Sequence, residues 1–160
     1  MATIGFSATI PPTGFTGVPH GDKIIILPGY TSTVLNQWKF PSGIYFNDGN
    51  FNSGLGTYVI PIAGAYHIHA QLSLDDTTDL LPHPETIELH LYLNGASVYY
   101  DSITVLTGSQ INRTLVIDAS FFLVPFDRIY VEVHRTASLY PLIVNLKKNV
   151  GVNNFFAFKE

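Results

Sequence analysis

The chain has no cysteine, a single tryptophan, a single methionine and only eight lysines and arginines among 160 residues. Without cysteine there are no disulfides, no thiolate metal sites and no cysteine nucleophile, and the redox compartment stays open. With so few cations and a net charge of −4, no basic stripe is available to neutralise phosphates, so nucleic-acid binding is not expected. Adsorption to anionic membranes is disfavoured for the same reason. No apolar run approaches the ~20 residues that cross a bilayer as a helix, so membrane insertion is not expected. The start, Met1-Ala2-Thr3-Ile4-Gly5-Phe6, shows neither the basic region nor the apolar stretch of a secretory signal. Long i, i+3, i+4 patterns are missing, so helix should be nearly absent. Neither a linker nor a solenoid-length repeat interrupts the chain, which reads as one domain over residues 1–160.

Apolar side chains are plentiful, at 46% against 12% charged, with 11 phenylalanines and 9 tyrosines. That is too apolar for disorder and poor in charge for a soluble monomer. Self-association is the simplest way to take such surface out of water.

The densest pattern lies at residues 51–70. Gly54 and Gly56 supply a turn, Thr57 to Ile60 reads as a short strand, and Pro61 with Gly64 breaks it. From Tyr66 the chain alternates, with Tyr66, Ile68, Ala70, Leu72 and Leu74 on one face and His67, His69, Gln71 and Ser73 on the other. Strand, fixed corner and strand suit a chain passing between the two sheets of a sandwich. Further strands are expected at Gly5–Ile10, Lys23–Leu27, Thr33–Phe40, Ile44–Phe46, Ile87–Leu93, Ala96–Tyr100, Thr114–Val124, Ile129–His134, Tyr140–Leu146 and Asn154–Phe158. Asn94-Gly95 is a strong hairpin signal. Residues 11–22 and 75–85 read as loops. About eight to ten antiparallel strands at this spacing indicate an all-β, two-sheet sandwich or jelly roll.

Several constellations bear on chemistry. His67 and His69 share a strand face and are candidate ligands of one metal ion, with His90 and Glu88 expected to face the same way from a neighbouring strand. The same pair suggests a cupin-type metalloenzyme as the enzymatic alternative, but Ser73 and Leu74 stand where its glutamate is required. Asp75, Asp76 and Asp79, with Glu85 nearby, offer hard oxygen ligands for Ca²⁺ without matching an EF-hand. Solvated polar residues explain both sets more simply, and no cofactor is expected. No Gly-x-Ser-x-Gly elbow and no phosphate loop occur. Asn112-Arg113-Thr114 is formally a glycosylation sequon, read here as coincidence. Trp38, with Lys39 and Phe40, reads as a core cover rather than a binding spot.

The sequence resembles the C1q globular-head and tumour-necrosis-factor-like jelly-roll family. That family's central corner reads approximately Tyr-Asn-x-x-Thr-Gly-x-Phe-x-x-Pro-x-x-Gly-x-Tyr-x-Phe. Phe51-Asn52, Gly56, Tyr58, Pro61, Gly64, Tyr66 and Ile68 fall in the same register without a gap. Gly5-Phe6-Ser7-Ala8 looks like the family's opening, Leu91 to Gly95 like its hairpin, and Asn154 to Phe158 like its closing Phe-Ser-Gly-Phe. Departures are Ala157 in place of the closing glycine, Pro125-Phe126 where glycine is common, and a poor match over residues 11–41. The resemblance implies a homotrimer packed about a threefold axis, with His67, His69, Phe155 and Ala157 as candidate interface residues. It implies a non-enzymatic role in surface recognition or particle architecture. The expected setting is a viral, phage or microbial surface structural protein, such as a capsid decoration or fibre head, on the virion or at the cell surface. The alternative is a secreted C1q-domain pattern-recognition or cytokine-like ligand. Protein or carbohydrate surfaces are the expected partners.

Overall fold

The computed structural model describes residues 4–9, 23–36, 38, 46–76, 84–108, 111–136, 142–147 and 153–160. Among them there are thirteen strands and no helix. In chain order they are β1 (Gly5–Thr9), β2 (Lys23–Ile26), β3 (Ser32–Val34), β4 (Phe46–Asn47), β5 (Phe51–Asn52), β6 (Thr57–Val59), β7 (Gly64–Asp76), β8 (Glu85–Leu93), β9 (Ala96–Val105), β10 (Ile111–Leu123), β11 (Arg128–Arg135), β12 (Leu142–Asn145) and β13 (Asn154–Lys159). Sheet I runs β10-β7-β13-β1-β4. Sheet II runs β5-β6-β11-β8-β9, with β3 also paired to β11. A small β2-β12 ladder joins β7 through an antiparallel bridge between Leu74 and Leu146. All pairings are antiparallel, giving a two-sheet jelly roll.

Alternation builds the core. The long strands expose every second residue to one environment, so Tyr66, Ile68, Ala70, Leu72 and Leu74 of β7 meet Ile87, Leu89, Leu91, Val131 and Val133 of sheet II in the interior. Phe6 lies against Phe51, Tyr58 and Phe155 at ring-centroid distances of 4.3, 4.8 and 4.8 Å. Trp38 is buried beside Phe155 and donates its indole N–H to Leu35 O at 2.9 Å. It is a core residue and not a binding spot.

The corner at residues 51–70 is as the spacing requires. β6 belongs to sheet II and β7 to sheet I, and the chain passes between them through Ile60–Ala63. Tyr66 Oη donates to Ile62 O at 2.8 Å and holds the corner from below. Gly56 has φ 69°, and a Cβ there would lie 2.2 Å from Leu35 O. Gly5 has φ 142°, and its Cβ would strike Ala157 O. Tyr58 is fully buried, and its hydroxyl donates to Asp48 Oδ2 at 2.7 Å. Asp48 also accepts from the backbone N–H of Gly5 and of Asn50, so one carboxylate joins three segments.

Some expected boundaries shift. Among the described residues of the expected Thr33–Phe40 strand, only Thr33 and Val34 pair with β11, together with Ser32 just before them; Leu35 and Trp38 instead turn inward to cap the core. The loop placed at residues 75–85 is shorter at both ends. Asp75 and Asp76 continue β7 against Asn112 and Ile111, and Glu85 begins β8. Residues 11–22 and Asp79 lie outside the described residues.

Candidate functional site

Two surfaces of the sandwich are chemically distinctive, one on each sheet. On sheet I the residues of β7, β10 and β13 that do not enter the core form one broad face. His67 and His69 stand there beside Asp118 and Ser120, because the register pairs Asp118 with His69 and Ser120 with His67. His67 Nε2 lies 3.2 Å from Asp118 Oδ1, and His69 Nδ1 lies 3.5 Å from Asp118 Oδ2. Ser120 Oγ donates to Glu160 Oε1 at 2.9 Å. On the other side of β7, Phe156 stacks on His69 with ring centroids 4.9 Å apart, and Phe158 lies 5.4 Å beyond it. Phe122, 74% exposed, completes the apolar part of this face.

Of the four expected interface residues, His67 and His69 are on this face. Phe155 and Ala157 are not: both are completely buried in the protomer's own core. The period of two on β13 explains the correction, since Phe155 and Ala157 point inward and Phe156 and Phe158 point out. The alternation around Phe155 was the signal that would have assigned them correctly. Asp118 and Phe122 are further residues of the face, and only strand pairing brings them to it.

The proposed metal sets are not assembled among the described residues. His67 and His69 engage opposite oxygens of one carboxylate instead of converging on a common point, and no group of three or more histidine, aspartate or glutamate side chains is arranged to hold a metal ion. His90 and Glu88 are not neighbours of His67; they sit on β8 in the opposite sheet. Glu85 is no calcium ligand. Its side chain is wholly buried, pairing with the Arg135 guanidinium at 3.0 Å and accepting from Thr136 N–H at 3.2 Å. Asp76's side chain and all of Asp79 fall outside the described residues.

The outward face of sheet II carries a row of near-parallel rings. Tyr130 and Tyr92 stack at 5.1 Å, Tyr92 and His134 at 5.8 Å, His134 and His90 at 4.1 Å, and His90 and Tyr100 at 5.0 Å. Glu88 lies 2.6 Å from His90 Nε2, and Glu132 lies 2.8 Å from His134 Nε2. Burial first, then the Glu132 carboxylate, push the hydroxyls of Tyr92 and Tyr130 above the ordinary tyrosine range. At the Tyr130 end the row opens into a cleft of 590 Å³, walled by the Asn94-Gly95 turn and the Asn52–Leu55 turn.

No protein-family model matches the chain, and no curated protein matches it. Its fold, however, is shared with solved structures. An Eiger TNF from S. frugiperda superposes with a TM-score of 0.61 over 100% of this chain and 94% of that one, at 14% identity. The architecture is therefore a TNF-like jelly roll. No helix among the described residues is long and apolar enough to cross a membrane.

Proposed function

We propose that the protein is a non-enzymatic homotrimeric module of surface recognition or particle architecture, a capsid-decoration or fibre-head protein of a virus, phage or microbe. The observation that carries the trimer is the outward face of sheet I. Its rings, Phe156, Phe158 and Phe122, lie in a fold where the opposite face of the same strands already fills the core. A closed threefold assembly takes such a patch out of water at roughly 25 cal/mol per Å². The low share of charged residues and the absence of a basic patch suit a structural or recognition role, and three copies supply avidity to weak single sites. A secreted, cytokine-like ligand is the second reading, favoured by the TNF fold of its structural neighbour.

Native mass spectrometry at micromolar protein is expected to give three times the 17.7 kDa chain mass; a monomer would remove the trimer reading. Proteomic analysis of purified particles from the source organism separates the two settings. Recovery of the chain in stoichiometric amount with particle proteins supports the first, and recovery from culture medium alone supports the second.

A further inference from the structure

The cleft at the end of sheet II has the chemistry of a small binding site. Its floor is the outward side of β6 and β11, where Thr57, Val59, Arg128 and Tyr130 stand together. Both walls are fixed. Asn94 N–H donates to Arg128 O at 2.9 Å, Arg128 N–H donates to Asn94 Oδ1 at 2.9 Å, and Asn94 Nδ2 donates to Asp127 Oδ1 at 2.8 Å. On the other side, Gly56 N–H donates to Asn52 O and Leu55 N–H to Asn52 Oδ1. A cleft held by such bonds needs little ordering when a ligand enters.

The polar groups left over are specific. Arg128 is exposed, and among the described residues its guanidinium has neither an ion-pair nor a hydrogen-bond partner. Among the described residues no carboxylate lines the cleft, and the adjacent Asp127 is engaged at both oxygens, by Asn94 and by Val124 N–H. In a chain of net charge −4, this guanidinium is uncompensated among the described residues. The Asn52 amide N–H₂ is likewise unpaired among the described residues, and the Thr57 hydroxyl donates only a 3.4 Å bond to Leu55 O. Tyr92 covers one side of the Tyr130 ring. The strand register, which pairs Ile129 with Tyr58, sets the other side toward Thr57 and the cleft.

We infer that this cleft binds an acidic monosaccharide unit of a glycan. Arg128 pairs with the sugar carboxylate in its two-pronged geometry. Tyr130 lies against the C–H face of the ring, flanked by Val59 and Leu55. Asn52 and Thr57 serve the hydroxyls. The volume lies within the range of small-molecule sites. The walled, one-ring floor suits a single sugar better than an extended peptide, which would need an open run of strand edge. The inference deepens the recognition half of the proposed function and is independent of the trimer.

The test is titration of the intact chain with oligosaccharides ending in glucuronic acid or N-acetylneuraminic acid, beside glucose-ended controls and an acidic peptide. Binding of at least one acidic sugar is expected. Arg128→Gln should weaken it about ten- to hundredfold, Tyr130→Leu should weaken it without abolishing its salt dependence, and neutral sugars should not bind. Arg128 is exposed, so the first variant folds. No binding of acidic sugars up to about 1 mM, binding unchanged by Arg128→Gln, or preference for the peptide would each overturn the assignment. Native mass measured on the same samples keeps the two claims apart. A trimer that binds no sugar removes only this inference, and a sugar-binding monomer removes only the trimer.

Discussion

At the scale of single residues, Phe126 and Tyr58 carry unusual conformations or protons. Phe126 sits in the β10–β11 turn at φ 74° with 82% of its surface exposed. A side chain in the left-handed region costs about 1–2 kcal/mol, and this one repays nothing by burial. Phe126→Gly should therefore raise stability by about 0.5–1 kcal/mol after the extra unfolded-state freedom of glycine is subtracted. A lower midpoint in urea unfolding would show that the ring contributes something within the chain. For Tyr58, burial and the hydrogen bond to Asp48 hold the hydroxyl far above the ordinary tyrosine range. The unfolded chain releases that proton near pH 10, while the folded chain keeps it. Stability should be complete below pH 10 and fall as pH rises beyond it, by up to about 1.4 kcal/mol per pH unit from this group. Tyr58→Phe should be less stable at pH 8, having lost the Asp48 bond, but should show a shallower alkaline decline. Identical slopes in unfolding curves from pH 8 to 11 would place the alkaline sensitivity elsewhere. The sequence singled out Tyr58 by its place in the corner motif; its proton depends on Asp48, ten residues away and joined to it only by the turn.

At the scale of elements, strand identity was largely legible and strand partnership was not. β7, β8, β10, β11 and β13 follow from alternation that burial then reproduces. The expected strand runs past β3 because Leu35 and Trp38 are apolar for another reason: they close the end of the core. Glu85 reads as loop in the sequence because it is a lone acid beside two prolines, and nothing local points to Arg135, fifty residues later. That buried pair links β8 and β11, and Arg135 also donates to Ile26 O of β2 at 3.3 Å. Arg135→Ala would remove the guanidinium that pairs with the buried Glu85 carboxylate, a loss of about 3–5 kcal/mol. Replacing both residues together, as Glu85→Leu with Arg135→Met, should cost much less. Equal losses in the single and double variants, by chemical denaturation, would mean that packing rather than charge pairing holds this junction.

At the scale of the whole molecule, the proposed function gives the two outward faces different work: sheet I for self-association, sheet II for a ligand. Phe156→Lys puts a cation on the sheet I face without entering the core, since Phe156 points outward. It should convert the proposed trimer to a monomer with an unchanged β-sheet circular dichroism spectrum; a trimer that persists would move the contact to another surface. By itself the sequence determined the class of fold, the corner at Pro61 and which residues of each long strand are buried, because a period of two is local and every alternating run carries it. Tertiary structure alone decided that Asp118 lies between His67 and His69, that Glu85 finds Arg135, and that Arg128 and Tyr130 meet the turns at residues 52 and 94. Those groupings depend on which strands pair and in what register, and pairing between segments far apart in sequence leaves no mark on either segment taken separately.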